Sequence, residues 1–167
     1  MEWMLMPFRR YAEFSGRSRR KEFWMFQLLN LIVAGVLYSL LFAGGAASLF
    51  MAGAGADGAV TAGELDQVSI GPLFWIAAIL LGLWALATLI PSLAVTVRRL
   101  HDRNMSGWYL LGFIVVVVVL SLIPFIGPIL VLALEIGYIV ILALPGTSGA
   151  NKYGADPKDP DSAEVFA

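Results

Sequence analysis

The chain has 167 residues and a formal net charge of -1 at pH 7, with 59% hydrophobic and only 14% charged residues, against about 25% charged in an average soluble domain. Residues 23–56, 67–97 and 104–134 carry no charge at all, which excludes a water-soluble globular domain and leaves no length for a separate catalytic one. There is no cysteine, so disulfides, thiolate metal sites, thiol nucleophiles and palmitoylation are excluded as well.

Residues 1–22 interleave Trp3, Met4, Leu5, Phe8, Tyr11 and Phe14 with Arg9, Arg10 and Glu13. Aromatic rings mixed with cations suit the headgroup zone of a bilayer; the plainer reading is a juxtamembrane segment with no defined helix. Ser18 is placed to cap the first spanning helix, expected at about 23–43, with Lys21, Phe23 and Trp24 at the interface. A cleaved signal peptide competes for this region, but an apolar run over 23–42 exceeds the usual 7–15-residue signal core. Retention as a membrane helix is the better reading. Gly44, Gly45, Gly53, Gly55, Gly58 and Gly63 then point to a loop.

A second helix is expected over about 72–97, kinked near 86–89 because Pro91 removes one backbone hydrogen bond. The final apolar stretch, 108–144, would be about 55 Å long as one straight helix, too much for one crossing. Pro124-Phe125-Ile126-Gly127-Pro128 divides it into 108–123 and 128–144, about 24 and 26 Å. The pair is then a tight transmembrane hairpin or a re-entrant one, and either returns the tail to the side of the N-terminus. A single tilted crossing with one half on the surface would put the tail on the opposite side. The tail over 145–167 is polar and rich in Gly, Pro and Asp, and is expected to run over the membrane surface and fray after Lys158.

All 11 Lys and Arg fall at Arg9–Lys21, Arg98–Arg103, Lys152 and Lys158, whereas the stretch 44–71 has only Asp57, Glu64 and Asp66. Short basic flanks stay cytoplasmic. The expected architecture is therefore an all-α polytopic membrane protein with four transmembrane helices and both termini cytoplasmic. Its parts are a basic, aromatic segment (1–22), a membrane domain (23–144) and the tail (145–167).

Three segments carry a resemblance. Phe14-Ser15-Gly16-Arg17-Ser18-Arg19-Arg20-Lys21-Glu22-Phe23-Trp24 opens the first helix, and Arg98-Arg99-Leu100-His101-Asp102-Arg103-Asn104-Met105-Ser106-Gly107-Trp108 joins the second to the third. Pro145-Gly146-Thr147 and Asn151-Lys152-Tyr153-Gly154-Ala155-Asp156-Pro157 close the chain. In this order and spacing, over about residues 8–158, they resemble the bacterial inner-membrane family named domain of unknown function 805. The resemblance implies a small polytopic inner-membrane protein of unassigned activity. The long Gly/Ala-rich outer loop and the longer final apolar stretch depart from the family's usual pattern.

The candidate chemistry centres on the loop at 98–108. Guanidinium forks of Arg98, Arg99 and Arg103, beside His101 and Asp102, match phosphate geometry, and each cation near an anionic leaflet is worth about 1 kcal/mol. Ser106 precedes the third helix, whose free amides suit an anion. The functional expectation is a headgroup or phosphate pocket joined by Arg17, Arg19, Arg20 and Lys21. The structural alternative pairs Asp102 with a neighbouring arginine, makes Ser106 a cap, and leaves the other cations to fix orientation.

His101 is the only histidine. A metal site would need carboxylate partners, and adjacent residues such as His101 and Asp102 seldom chelate one ion. No Ser–His–acid constellation is in place. Glu135 is the one acid inside an apolar run; its charge costs about 2.5–3.5 kcal/mol at the bilayer centre, so it is expected to face a bundle interior or a water-filled path. Tyr138, one turn on, is the nearest candidate partner, with Gln27, Asn30, Thr88 and Ser121 as others. The alternative is a protonated or water-linked carboxyl near the interface. Nucleotide-cradling glycine motifs are absent, and the cations flank spans instead of forming a basic nucleic-acid fold. The expected function is structural, lipid-interacting or partner-binding, with anionic membrane lipids, another membrane protein or a second copy as partners. No enzyme activity or cofactor is expected. A small oligomeric transporter or channel using Glu135 is the alternative.

Overall fold

The computed structural model describes residues 2–53 and 69–158. The acidic stretch with Asp57, Glu64 and Asp66, and the tail beyond Lys158, lie outside them. The architecture is all-α. In chain order the helices are α1 (Glu2–Arg9), α2 (Arg20–Leu41), α3 (Ala47–Gly53), α4 (Pro72–Asp102), α5 (Trp108–Ser121) and α6 (Gly127–Ala143). Two stretches are long and apolar enough to cross a membrane, Arg20–Phe50 and Pro72–Asp102, with mean hydropathies of 2.0 and 2.4. Their outward side chains are apolar, as lipid requires: Leu31 is 70% exposed and Leu86 67%. The chain is a multi-spanning membrane protein.

The chain divides into two units, Leu28–Leu89 and the remainder. In the first, α2 ends at Leu41, and a kink over Phe42–Ala46, where Gly45 takes a non-helical φ of 125°, separates it from α3, which is helical where a loop was expected. The Ser48 hydroxyl donates to Gly45 O at 2.6 Å, and the Gly71 N–H donates to Gly44 O at 2.9 Å. Unpaired backbone is costly in hydrocarbon, so glycines there make a turn whose polar groups are answered.

The second unit comprises Met1–Gln27 and Ile90–Ala167. Residues 2–9 are helical after all, and the ring of Phe8 meets that of Phe26 edge-on at 5.5 Å. Helix α4 passes Pro91 unbroken and ends at Asp102, five residues beyond the expected 97. Its last three turns bury Ala94, Val95 and Leu100 with Phe23, Phe26 and Leu142. Helix α5, by contrast, buries no residue.

Helices α5 and α6 run over Trp108–Ser121 and Gly127–Ala143, against 108–123 and 128–144 read from the sequence. They pack together with the rings of Phe113 and Tyr138 stacked at 4.0 Å. The turn between them is closed by Ile126 N–H to Pro124 O (2.8 Å) and Gly127 N–H to Ile123 O (3.0 Å). A Cβ on Gly127 would run into Leu120 O, a backbone atom that cannot step aside. Gly127→Ala is therefore expected to destabilise the protein by about 1–3 kcal/mol, the range for overpacking. Gly137→Ala, where a Cβ meets nothing within 4 Å, should be neutral or mildly stabilising. Thermal unfolding in detergent compares the two.

Candidate functional site

The polar groups gather where α4 ends, α2 begins and α6 terminates. Asp102 is the hub. Its Oδ1 accepts from Arg17 Nε at 3.0 Å, and its Oδ2 pairs with Arg99 Nη1. Arg17, Arg99 and Asp102 are 3%, 0% and 3% exposed. Arg17 also donates to Gly149 O at 2.6 Å and Thr147 O at 2.5 Å. The backbone carbonyl of Asp102 receives Thr147 N–H at 2.8 Å and the Thr147 hydroxyl at 3.1 Å. Gly146 lies so close to the Asp102 carboxylate that a Cβ there would collide with it.

The last carbonyls of any α-helix lack intrahelical partners. In α6, arginines answer them. Arg103 Nη1 donates to Ile141 O at 3.0 Å, Arg99 Nε to Leu142 O at 2.8 Å, Arg20 Nη1 to Ala143 O at 3.4 Å, and Arg99 Nη2 to Leu144 O. Three cations at the negative end of the helix dipole add to the attraction.

A second buried pair lies behind the first. Arg98, fully buried, places Nη1 3.1 Å from Glu22 Oε1, and Ser18 Oγ donates to Glu22 Oε2 at 2.8 Å. Ser18 thus steadies a carboxylate instead of capping α2 through its hydroxyl. Arg98 Nε and Nη2 are buried without a hydrogen-bond partner among the described residues. Three buried guanidinium groups (Arg17, Arg98, Arg99) therefore face two buried carboxylates, Glu22 and Asp102.

His101 is held by the tail. Its Nδ1 donates to Gly16 O at 3.2 Å, and its ring stacks on Tyr153 at 3.9 Å. Asn151 Nδ2 reaches His101 O at 2.9 Å, and its Oδ1 accepts Tyr153 N–H at 2.9 Å. The Asp156 carboxyl is kept below the usual carboxylate range by the N–H groups of Lys158 and Gly149, with the charge of Arg17 adding. Ser106 stands at the start of α5, its Oγ 3.4 Å from Trp108 N.

Arg17, Arg98, Arg99, Arg103, His101 and Asp102 thus come together at one end, where the buried guanidinium groups point inward, to carboxylates and carbonyls. The partners that sequence reasoning passed over are Glu22, Thr147, Asn151, Tyr153 and Asp156. The turn-forming setting of the last four in the tail was visible, their target was not. Arg9, Arg20 and Lys21 are exposed and Arg19 half-exposed; Arg19 and Lys21 lie over the Trp3 ring at 5.8 and 5.5 Å. A cleft of about 160 Å³ opens beside them, lined by Trp3, Met6, Arg10, Arg17, Arg19, Glu22 and Pro157.

Glu135 is exposed on α6 instead of facing the bundle interior. Its expected bond to Tyr138 is not formed: the Tyr138 hydroxyl is buried with no partner among the described residues. Thr88 and Ser121 bond carbonyls of their own helices, Trp84 O and Val118 O. No group of three His, Cys, Asp or Glu that could hold a metal occurs among the described residues.

The apolar helices and this end cluster define a multi-pass membrane protein, and comparison with known proteins puts it in the bacterial inner membrane. It is similar to inner membrane protein YhaI of Escherichia coli strain K12, 36% identical over 159 residues (95% of this chain, 97% of the relative). It is similar too to inner membrane protein YhaH of the same strain, 34% identical over 162 residues (95% and 98%). The model of the family described as "Protein of unknown function (DUF805)" matches residues 11–155, and the chain belongs to that family. No solved structure matches it.

Removing one member of a buried ionic network leaves the others uncompensated, at about 3–5 kcal/mol. Asp102→Ala is expected to lose stability on that scale and to release residues 145–158 to protease. Lys152→Ala, an exposed cation, should stay within about 0.5 kcal/mol. Thermal melts and limited proteolysis in detergent measure both effects.

Proposed function

We propose that this protein is a four-crossing membrane scaffold that holds its basic, aromatic face against anionic headgroups on the cytoplasmic side. Arg17, Arg98, Arg99 and Arg103 act within the fold, locking the ends of α2, α4 and α6 together. Lipid contact falls to Arg9, Arg19, Arg20 and Lys21, with the Trp3 ring under Arg19 and Lys21. The observation that carries this reading is the contrast between arginines turned inward to carboxylates and carbonyls and the pair Arg19 and Lys21, set over the Trp3 ring beside a cleft. The cleft lining carries Arg10, Arg17 and Arg19 against the one carboxylate of Glu22, which favours an anion there. The reading gives the chain no catalytic role.

Four crossings with both ends inside are supported by the arginine cap. It brings the end of α6 beside the start of α2 and the end of α4, where the basic residues concentrate. With α6 about 26 Å long, the α5–α6 hairpin is long enough to be a full, slightly thinned crossing pair. Reporter fusions at Met105 and Ala167 should read inside and one at Gly58 outside; any other pattern removes this topology.

At about 1 kcal/mol per cation, the double variant Arg19→Ala/Lys21→Ala is expected to lose about 2 kcal/mol of affinity for phosphatidylglycerol nanodiscs. Native mass spectrometry should show matching loss of co-purified anionic lipid. Unchanged lipid would remove the headgroup reading. The transporter or channel alternative finds Glu135 on the outside of the single chain, so it requires an assembly of several copies; unchanged ion flux in Glu135→Gln proteoliposomes would remove its residue-level support.

A further inference from the structure

Glu135 sits midway along α6, about 12 Å from each end at 1.5 Å per residue. It is exposed, and among the described residues it makes no hydrogen bond or ion pair. Leu132 and Ile139, three residues before it and four after, are 58% and 52% exposed and share its stripe of the helix. Ala133 and Gly137 lie on the opposite side. At this depth lipid tails supply neither donors nor acceptors, and an exposed carboxyl there is answered by another polypeptide or by water drawn to it.

The chemistry selects the partner. The apolar runs of this chain offer no lysine or arginine, and a cation from another protein would carry its own burden of desolvation. A protonated carboxyl needs no cation, because it is donor and acceptor at once. Two of them close a pair of reciprocal O–H···O bonds. A two-fold axis along the membrane normal puts the same residue of two copies at one depth, and face to face when that residue lies at the axis, so self-pairing is a match that symmetry offers. Apolar residues above and below complete the contact.

We propose that the Glu135 stripe of α6 is the interface of a homodimer in which the two Glu135 carboxyls hydrogen-bond to each other inside the membrane. This rests on α6 being embedded and is independent of the headgroup reading. Because the chain has no cysteine, one introduced thiol reports unambiguously. In native membranes, copper–phenanthroline oxidation should give a disulfide-linked homodimer for Leu132→Cys and Ile139→Cys but not for Ala133→Cys. Reconstituted at fixed protein-to-lipid ratio, Glu135→Leu should lower the dimer fraction about tenfold, the loss of an interhelical hydrogen-bonded pair. Glu135→Gln, whose amide also donates and accepts, should keep it. Absent crosslinks at both stripe positions, equal crosslinking of Ala133→Cys, adducts with a different protein, or an undiminished Glu135→Leu dimer would each overturn the proposal. Labelling of Ile139→Cys by a water-soluble maleimide would instead overturn the embedded α6 on which it rests.

Discussion

One carboxylate, that of Asp102, organises the polar end of this molecule. Each of its oxygens takes a different arginine, Arg17 and Arg99, and its backbone carbonyl takes the amide and hydroxyl of Thr147. Segments far apart in sequence thus share one buried residue. Such a charge is tolerable in low dielectric only when every partner is present, so the cluster assembles as a whole or not at all.

That matters in lipid, where apolar side chains gain little by choosing one another over acyl tails. Most of the helical surface is exposed leucine, isoleucine and valine, which suits the bilayer without dictating how helices meet. Specificity comes from the polar end. Arg99 both completes the Asp102 pair and reaches two carbonyls of α6. The guanidinium fork suits this work better than an ammonium, because its donors diverge in a fixed plane.

Much of this was legible in the residues, and the exceptions have physical causes. The break between α5 and α6 was announced by Pro124, Gly127 and Pro128, and the 98–103 loop was recognisable as the polar centre. Which way its guanidinium groups point was not. Their acceptors are largely the carbonyls of Ile141, Leu142, Leu144, Thr147 and Gly149, and a backbone oxygen has no signature in sequence. The same ignorance shortened α4: residues 98–102 look like a solvated loop until their partners from the tail are known. Gly44 and Gly45 marked a break, and the helix does kink there, Gly45 leaving the helical region at φ 125°; what the glycines did not reveal is the short helix α3 that follows. Glu135 was rightly singled out as anomalous, but its position on the helix circumference depends on how α5 and α6 pack.

The arginine cap on α6 also sets a depth. Its acceptors are the consecutive carbonyls of residues 141–144, so sliding the helix by one turn would leave several guanidinium donors unanswered at once. In the proposed full crossing, a bilayer thicker or thinner than the hairpin is not accommodated at that end. The mismatch would then fall on the far turn, where Phe125 is 90% exposed and Leu122 78% and where local thinning of the lipid is the softer response. A molecule so placed is pinned to one leaflet and compliant toward the other.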